Sequence, residues 1–430
     1  MTEVAQGQAT SLVSENILGD TDMTLIDRRG LLLAAGAALG AGPVFAQPAE
    51  TIADNPLATT AANQAATFRN QDRTRPVRAI RAGRQVRPLP PHARTLAGLT
   101  FKSAGKTRTV DSYMARRRTA GLLVLKRGEV ALERYGLGNG PESRWTSFST
   151  AKSMTSTLAG AALNDGAIRS LDDTVAQYLP RMAGTAYQDV SIRNLLRMAS
   201  GVAWTEDYDP TGKSDIAALG LALAAQKPGA VLDLMASRPR AAPQGSVFNY
   251  STGESCLLGA VVSAATGRPL ADYFAEKVWG PAGMEADGYW QLESPGGLEL
   301  GGMGVGARLR DFGRFGQFFL EEGEAGGRQP LPQGWRDLAG QPDAEATGFG
   351  KLEKGYPLGY GYQWWVFPRE AGSPHDGAFT AQGIFGQFIY VNPREQVVAV
   401  VWSAWRSAWQ TDSEFETYDL LAAAVEALRA

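Results

Sequence analysis

The constraint that most limits the fold is the position of the strand-like segments. Residues 119–136, TAGLLVLKRG followed by EVALERYG, read as a β-hairpin turning at Arg127-Gly128. The next segments with strand character come only in the last third: YGYQWWVF at 360–367, GQFIYVNP at 386–393 and EQVVAVVWSAW at 395–405. Most of the chain between them has helical spacing. Helices are expected within Trp145–Gly166, at DDTVAQYLP (172–180), SIRNLLRM (191–198), ESCLLGAVVSAATG (254–267) and RDFGRFGQFFLEEG (310–323), and an amphipathic helix closes the chain at 415–429. This order predicts one α/β layer built from both ends of the chain, with an α-helical part inserted between, and an active site at the seam.

Composition narrows the class. The 430 residues are 44% hydrophobic, enough for a large core. With 42 basic and 44 acidic residues the net charge is −2, and nothing in that balance points to a nucleic-acid partner. The one cysteine, Cys256, permits no intrachain disulfide and lies in an apolar run, where a thiol is a small hydrophobe. The two histidines, His92 and His375, match no zinc spacing, so neither a metal site nor another cofactor is expected. His92 sits in the proline-rich LPPHAR segment, a poor place for a catalytic base.

The first 46 residues have the layout of an export signal. Arg28-Arg29 precedes an apolar stretch from Leu31 to Ala41, and Val44-Phe45-Ala46 offers a cleavage site. The paired arginines suggest the twin-arginine route, and the apolar run is too short and glycine-rich to span a membrane. A periplasmic or secreted product without a stable membrane anchor is expected. Residues 47–95, rich in Ala, Pro, Arg and Gln, read as a linker or extended arm, and the globular body as 96–430.

The chemistry is concentrated at Ser149-Thr150-Ala151-Lys152, an S-x-x-K motif at the first turn of an expected helix. Residues three apart share a helix face, so Lys152 can hold its amine against the Ser149 hydroxyl. A serine needs such a base, and a lysine serves once burial or the helix dipole lowers its pKa. The motif has only two fixed positions, and Ser103-Ala104-Gly105-Lys106 repeats it in a polar stretch with no apolar run behind it, which reads as a loop. No serine satisfies G-x-S-x-G, and Thr100 stands where a phosphate-binding loop ending at Gly105-Lys106-Thr107 requires its first glycine. A serine hydrolase also needs an acid for the leaving group and donors for the oxyanion. Tyr250 is a candidate for the acid, its phenol pKa lowered beside a lysine cation. The Ser149 amide and a backbone N–H of Gln382–Gln387 are candidates for the donors.

Taken together, FSTAKSMTS (148–156), LDDTVAQYLP (171–180), SIRNLLRMASGV (191–202), FNYSTGESCLLG (248–259), GARLRDFGRFG (306–316), YGYQWW (360–365) and GIFGQFIYVNPREQVVAV (383–400) resemble the serine β-lactamase and penicillin-recognising superfamily, above all its class C-like esterase and aminohexanoate-dimer hydrolase branch. The resemblance runs from about Thr119 to the end. It implies an α/β (α+β) fold of the β-lactamase/transpeptidase type: an antiparallel sheet flanked by N- and C-terminal helices, with an inserted α-helical domain. It implies a serine hydrolase that cleaves small amides or esters through an acyl-enzyme. Ser149 is then the nucleophile, Lys152 its base, Tyr250 the proton relay of a Y-x-N element, Ile384 the second oxyanion donor and Tyr208 a tyrosine that closes over substrate. Two positions depart from the pattern. Thr252 replaces the asparagine of Y-x-N, and the K-T-G element that binds the β-lactam carboxylate is missing. A D-amino-acid peptidase, a weak β-lactamase and a non-hydrolysing penicillin-recognising sensor are the alternatives.

Overall fold

The computed structural model describes residues 50–208, 212–340 and 356–429, so the expected export segment at 1–46 lies outside the described residues. The two ends of the chain meet in one seven-stranded sheet. Its strands are β1 (Thr119–Lys126), β2 (Glu129–Tyr135), β3 (Gly359–Tyr360), β4 (Trp365–Val366), β5 (Phe379–Gly383), β6 (Gln387–Asn392) and β7 (Val397–Ser403). The spatial order is β2-β1-β7-β6-β5-β4-β3, antiparallel throughout. The seam between the early hairpin and the late strands is β1 against β7, with Val397 opposite Lys126 and Trp402 opposite Gly121.

The apolar runs LLVL and VVAVVW are nearly continuous because both faces of this sheet are covered. Four helices matter here: α1 (Ala151–Asn164), α2 (Thr252–Thr266), α3 (Leu309–Leu320) and α4 (Thr411–Arg429). Successive side chains of a strand point to opposite faces. Leu123 and Leu125 join the core that contains Phe312 and Phe315 of α3. Leu122 and Val124 join the core that contains Tyr418, Leu421 and Val425 of α4. The helix α3 lies close to the sheet because glycines face it: a Cβ on Gly316 would stand 2.6 Å from the Val398 side chain.

A second, four-stranded sheet, Val77–Ile80, Gly288–Gln291, Val305–Arg308 and Arg144–Thr146 in spatial order, flanks the start of α1. The glycine-rich segment at 301–309 supplies the Val305–Arg308 strand. The segment read as linker or arm also does more than connect. Val77–Ile80 pairs with Gly288–Gln291, and Phe68 and Ile80 are fully buried. Its proline and arginine content concealed these apolar anchors. The run YGYQWWVF is likewise two short strands rather than one: the Gly361 N–H bonds the Trp364 carbonyl at 2.8 Å, and Gln363 takes a left-handed φ of 60°. The reversal sends Trp364 into the core, stacked on Phe319, and leaves Trp365 facing the cleft described below. Among the described residues no helix is long and apolar enough to cross a membrane.

Close packing at Gly316 gives a direct test. Gly316→Val forces branched carbons against Val398 and Ile389 and is expected to cost about 1–3 kcal/mol, the usual range for overpacking. Urea denaturation followed by circular dichroism measures it.

Candidate active site

Ser149 stands where a single tight turn, Phe148–Thr150, runs into α1. Phe148, just before it, has a φ of +44°, a conformation that L side chains adopt only under constraint. The constraint is visible: the Phe148 ring packs edge-on against Phe68 at 4.8 Å and against Phe385 at 5.4 Å. The arm and the β5–β6 turn thus hold the backbone that presents the serine.

One helical turn on, Lys152 is buried to 1% exposure and its Nζ lies 2.9 Å from Ser149 Oγ. The same nitrogen lies 2.8 Å from Thr252 Oγ1 and 3.0 Å from the Gly302 carbonyl oxygen. Burial pushes the Lys152 amine down to about 8, against the opposing pull of the Glu206 charge. The hydrogen bonds also orient it. The Gly302 carbonyl can only accept. The Thr252 hydroxyl donates to Glu206, so its oxygen accepts as well. A neutral Lys152 therefore spends both N–H groups on these two acceptors and turns its lone pair to the Ser149 hydroxyl.

Glu206 was not singled out from the sequence. In the structure its carboxylate accepts from Trp204 Nε1 at 2.5 Å, from the Tyr208 hydroxyl at 2.8 Å, from the Thr252 N–H at 3.0 Å and from the Thr252 hydroxyl. It sits at the N-terminus of α2, where a negative charge is stabilised by the helix dipole. The signal was the alternation Trp204-x-Glu206-x-Tyr208, which sends three side chains to one side of an extended segment. Thr252, noted as a departure from asparagine, is the link between this carboxylate and Lys152.

Tyr250 lies next to the pair, with its ring centroid 4.9 Å from Lys152 Nζ. From the sequence, its phenol pKa is expected to be lowered beside a lysine cation. The structure reverses that: burial pushes it up, the Glu206 charge adds to this, and a hydrogen-bonding contact with Ser149 opposes both. Tyr250 is therefore a protonated phenol, suited to give a proton and not to sit as a phenolate. Tyr208 lies in the cleft wall, its hydroxyl tied to Glu206.

Ser149, Glu206, Tyr208 and Tyr250 line a cleft of about 470 Å³, with Ile384, Gln382, Trp365 and Trp409 among its other walls. Gly383 brings β5 against the serine turn: a Cβ there would stand 2.8 Å from the Ser147 carbonyl oxygen and 3.1 Å from the Ser149 nitrogen. Only glycine allows this approach, which sets Ile384, the next residue, beside the Ser149 amide. The structure thus brings together Ser149, Lys152, Tyr250, Ile384 and Tyr208.

The other candidates fall elsewhere. His375 stacks on Phe367 at 4.3 Å, its Nε2 faces the Tyr418 carbonyl at 3.2 Å and its Nδ1 faces the Tyr390 hydroxyl at 3.0 Å. Burial pushes it down to about 4, so it is a neutral packing residue. The Ser103–Lys106 copy of the motif is a hairpin end, with Ala104 and Gly105 both at positive φ. Cys256 is buried on α2, and burial pushes its thiol up to about 11.

An antiparallel sheet built from both ends of the chain, with Ser149 at the turn into a buried helix that carries Lys152 and with that turn packed against β5, defines a penicillin-recognising serine hydrolase fold. The family model described as Beta-lactamase matches residues 107–424, and the chain belongs to that family. It is 28% identical over 294 residues to the 6-aminohexanoate-dimer hydrolase of Paenarthrobacter ureafaciens, covering 67% of this chain and 73% of that protein. A solved structure from Bacillus anthracis, described as a candidate 6-aminohexanoate-dimer hydrolase, superposes with a TM-score of 0.75 at 22% identity, covering 87% of this chain and 96% of that one. A family VIII carboxylesterase superposes with a TM-score of 0.55 at 17% identity, over 74% of this chain and 96% of that one.

Because Thr252 serves Lys152 and Glu206 at once, Thr252→Val strips a hydrogen bond from each. A loss of about 1–3 kcal/mol in urea unfolding is expected, the cost of leaving buried polar groups unpaired. Thr252→Ser, which restores the hydroxyl, is expected to recover most of it in the same measurement.

Proposed function

We propose that the protein hydrolyses small linear amides or esters through an acyl-enzyme on Ser149. The observation that carries this reading is the Lys152 hydrogen-bond set, which leaves the amine one open direction, toward Ser149 Oγ at 2.9 Å. The relatives support the substrate class: one is described as a 6-aminohexanoate-dimer hydrolase and another as a carboxylesterase.

In this reading the Ser149 hydroxyl gives its proton to Lys152 as its oxygen bonds the substrate carbonyl carbon. The negative charge that develops on the carbonyl oxygen is met by the backbone N–H groups of Ser149 and Ile384. The C–N or C–O bond then breaks. Tyr250 gives its phenolic proton to the leaving amine or alcohol and takes the proton held by Lys152, so no free phenolate persists. Water reverses the sequence: its proton passes to the Tyr250–Lys152 pair, its oxygen bonds the acyl carbon, and Ser149 leaves with a proton. Tyr208 and Trp365 bound the space in which the acyl chain lies. We also read residues 1–46 as a twin-arginine export signal, which places the activity outside the cytoplasm.

Three measurements test this. Ser149→Ala is expected to lose at least about a thousandfold in turnover of a 4-nitrophenyl ester with an unchanged circular dichroism spectrum; retained turnover rejects the mechanism. Intact-mass spectrometry during the wild-type reaction separates a turning-over hydrolase, which gains no lasting mass, from a sensor that stalls as an adduct on Ser149. In the pH profile of kcat/KM, the base-competent neutral Lys152 accumulates as pH rises through about 8, so activity is expected to rise to a plateau above that value. Glu206 raises the Lys152 pKa, so Glu206→Gln is expected to move the midpoint to lower pH. The export reading is checked by fractionating cells that carry Arg28→Lys with Arg29→Lys, which are expected to retain the protein in the cytoplasm.

A further inference from the structure

Gln382 lines the cleft from β5, one residue before the glycine that touches the serine turn. Its side chain is held from behind. Nε2 donates to the Tyr418 hydroxyl at 2.7 Å, and that hydroxyl donates to Glu414 Oε1 at 2.5 Å. Tyr356 donates to the same carboxylate oxygen at 2.5 Å. A phenol has one hydrogen, and Tyr418 has spent it on Glu414, so toward Gln382 the Tyr418 oxygen can only accept. The donor end of the carboxamide is therefore the end committed to Tyr418. Burial favours a proton on Glu414, but this does not change the outcome. The second carboxylate oxygen, Oε2, is buried without a partner and is the place for that proton, leaving Oε1 to accept from both phenols.

The carbonyl oxygen of Gln382 is thus the end left for the cleft. A second feature of the cleft agrees with it. Among the described residues that line it, none is a lysine or arginine. An acceptor facing a cleft whose lining carries no lysine or arginine attracts donors and disfavours anions.

We propose that Gln382 is the specificity-determining residue of the site: with its amide nitrogen turned back to Tyr418, it presents its carbonyl oxygen to the cleft and so selects substrates that carry an N–H donor, an amide or an ammonium, near the scissile carbonyl, over those that carry a carboxylate there. This deepens the acyl-enzyme reading and rests on it. The substrates it favours are compounds with a second amide or amine along a linear chain.

The test uses matched 4-nitrophenyl esters of the full-length protein's simplest assay: 4-acetamidobutyrate, its 4-acetoxybutyrate isostere without the N–H, the glutarate monoester with a carboxylate, and plain acetate. Wild-type protein is expected to favour the acetamido over the acetoxy ester in kcat/KM by about tenfold, what one neutral hydrogen bond supplies, and to handle the glutarate worst. Gln382→Leu is expected to bring the acetamido-to-acetoxy ratio close to one. Tyr418→Phe keeps Gln382 but releases its carboxamide to turn either way, and is expected to lower the same ratio. A loss of packing alone would slow all four esters together and leave the ratios as they are. Equal ratios in wild type and Gln382→Leu overturn the proposal while the acyl-enzyme reading stands. Wild-type protein that turns over none of the four, acetate included, overturns the acyl-enzyme reading itself.

Discussion

Everything at this site depends on keeping one lysine amine dry. Lys152 is buried, and three oxygens, Ser149 Oγ, Thr252 Oγ1 and the Gly302 carbonyl, surround its nitrogen. As an ammonium it has three donors for three acceptors. As a neutral amine it has two donors and a lone pair for the serine. Both protonation states are accommodated, and burial brings the balance between them near neutrality. A buried cation without such partners would cost several kcal/mol. The nearby Glu206 limits that cost, and it keeps the amine from losing its proton altogether in the range where a base must gain and release it.

The supporting structure is spread over distant parts of the chain. Thr252 and Glu206 come from the helical insertion, Gly302 from the segment before the strand Val305–Arg308, Gly383 and Ile384 from the last third, and Phe68 from the arm. Each contributes a different physical element: hydrogen-bond direction, charge, close backbone approach, or packing against a strained turn. The arrangement gives a physical role to threonine at the position where the resemblance led to an expectation of asparagine. The position needs an oxygen that accepts from Lys152, and Glu206 fixes the hydroxyl so that it does.

Much of this was legible in the sequence, and the exceptions have physical causes. Ser149, Lys152 and Tyr250 stood out because their chemistry depends on spacing along a helix or on an unusual residue before one. The two-ended sheet was legible because strands buried on both faces leave continuous apolar runs such as LLVL and VVAVVW. Glu206 was not, since a lone carboxylate in a loop gives no sign of the donors that converge on it. Phe68 and Ile80 were hidden in a segment whose prolines and arginines suggested a linker. The Tyr250 pKa ran opposite to expectation because the sequence offered a neighbouring cation but not the depth of burial. The split of YGYQWWVF followed from a left-handed Gln363 that alternation of side chains cannot reveal.

The seam between β1 and β7 has a further consequence for the life of the chain. Strand β1 is complete by Lys126, yet its partner begins only at Val397, so the central pair of the sheet joins residues far apart in the order of synthesis. Such long-range pairing forms late and slowly. The serine turn is supported by Gly383 and Phe385, which belong to the same late part of the chain. A partly made chain therefore carries Ser149, Lys152 and Tyr250 long before it carries the surface that braces them. The site is complete only when the last strand closes the sheet.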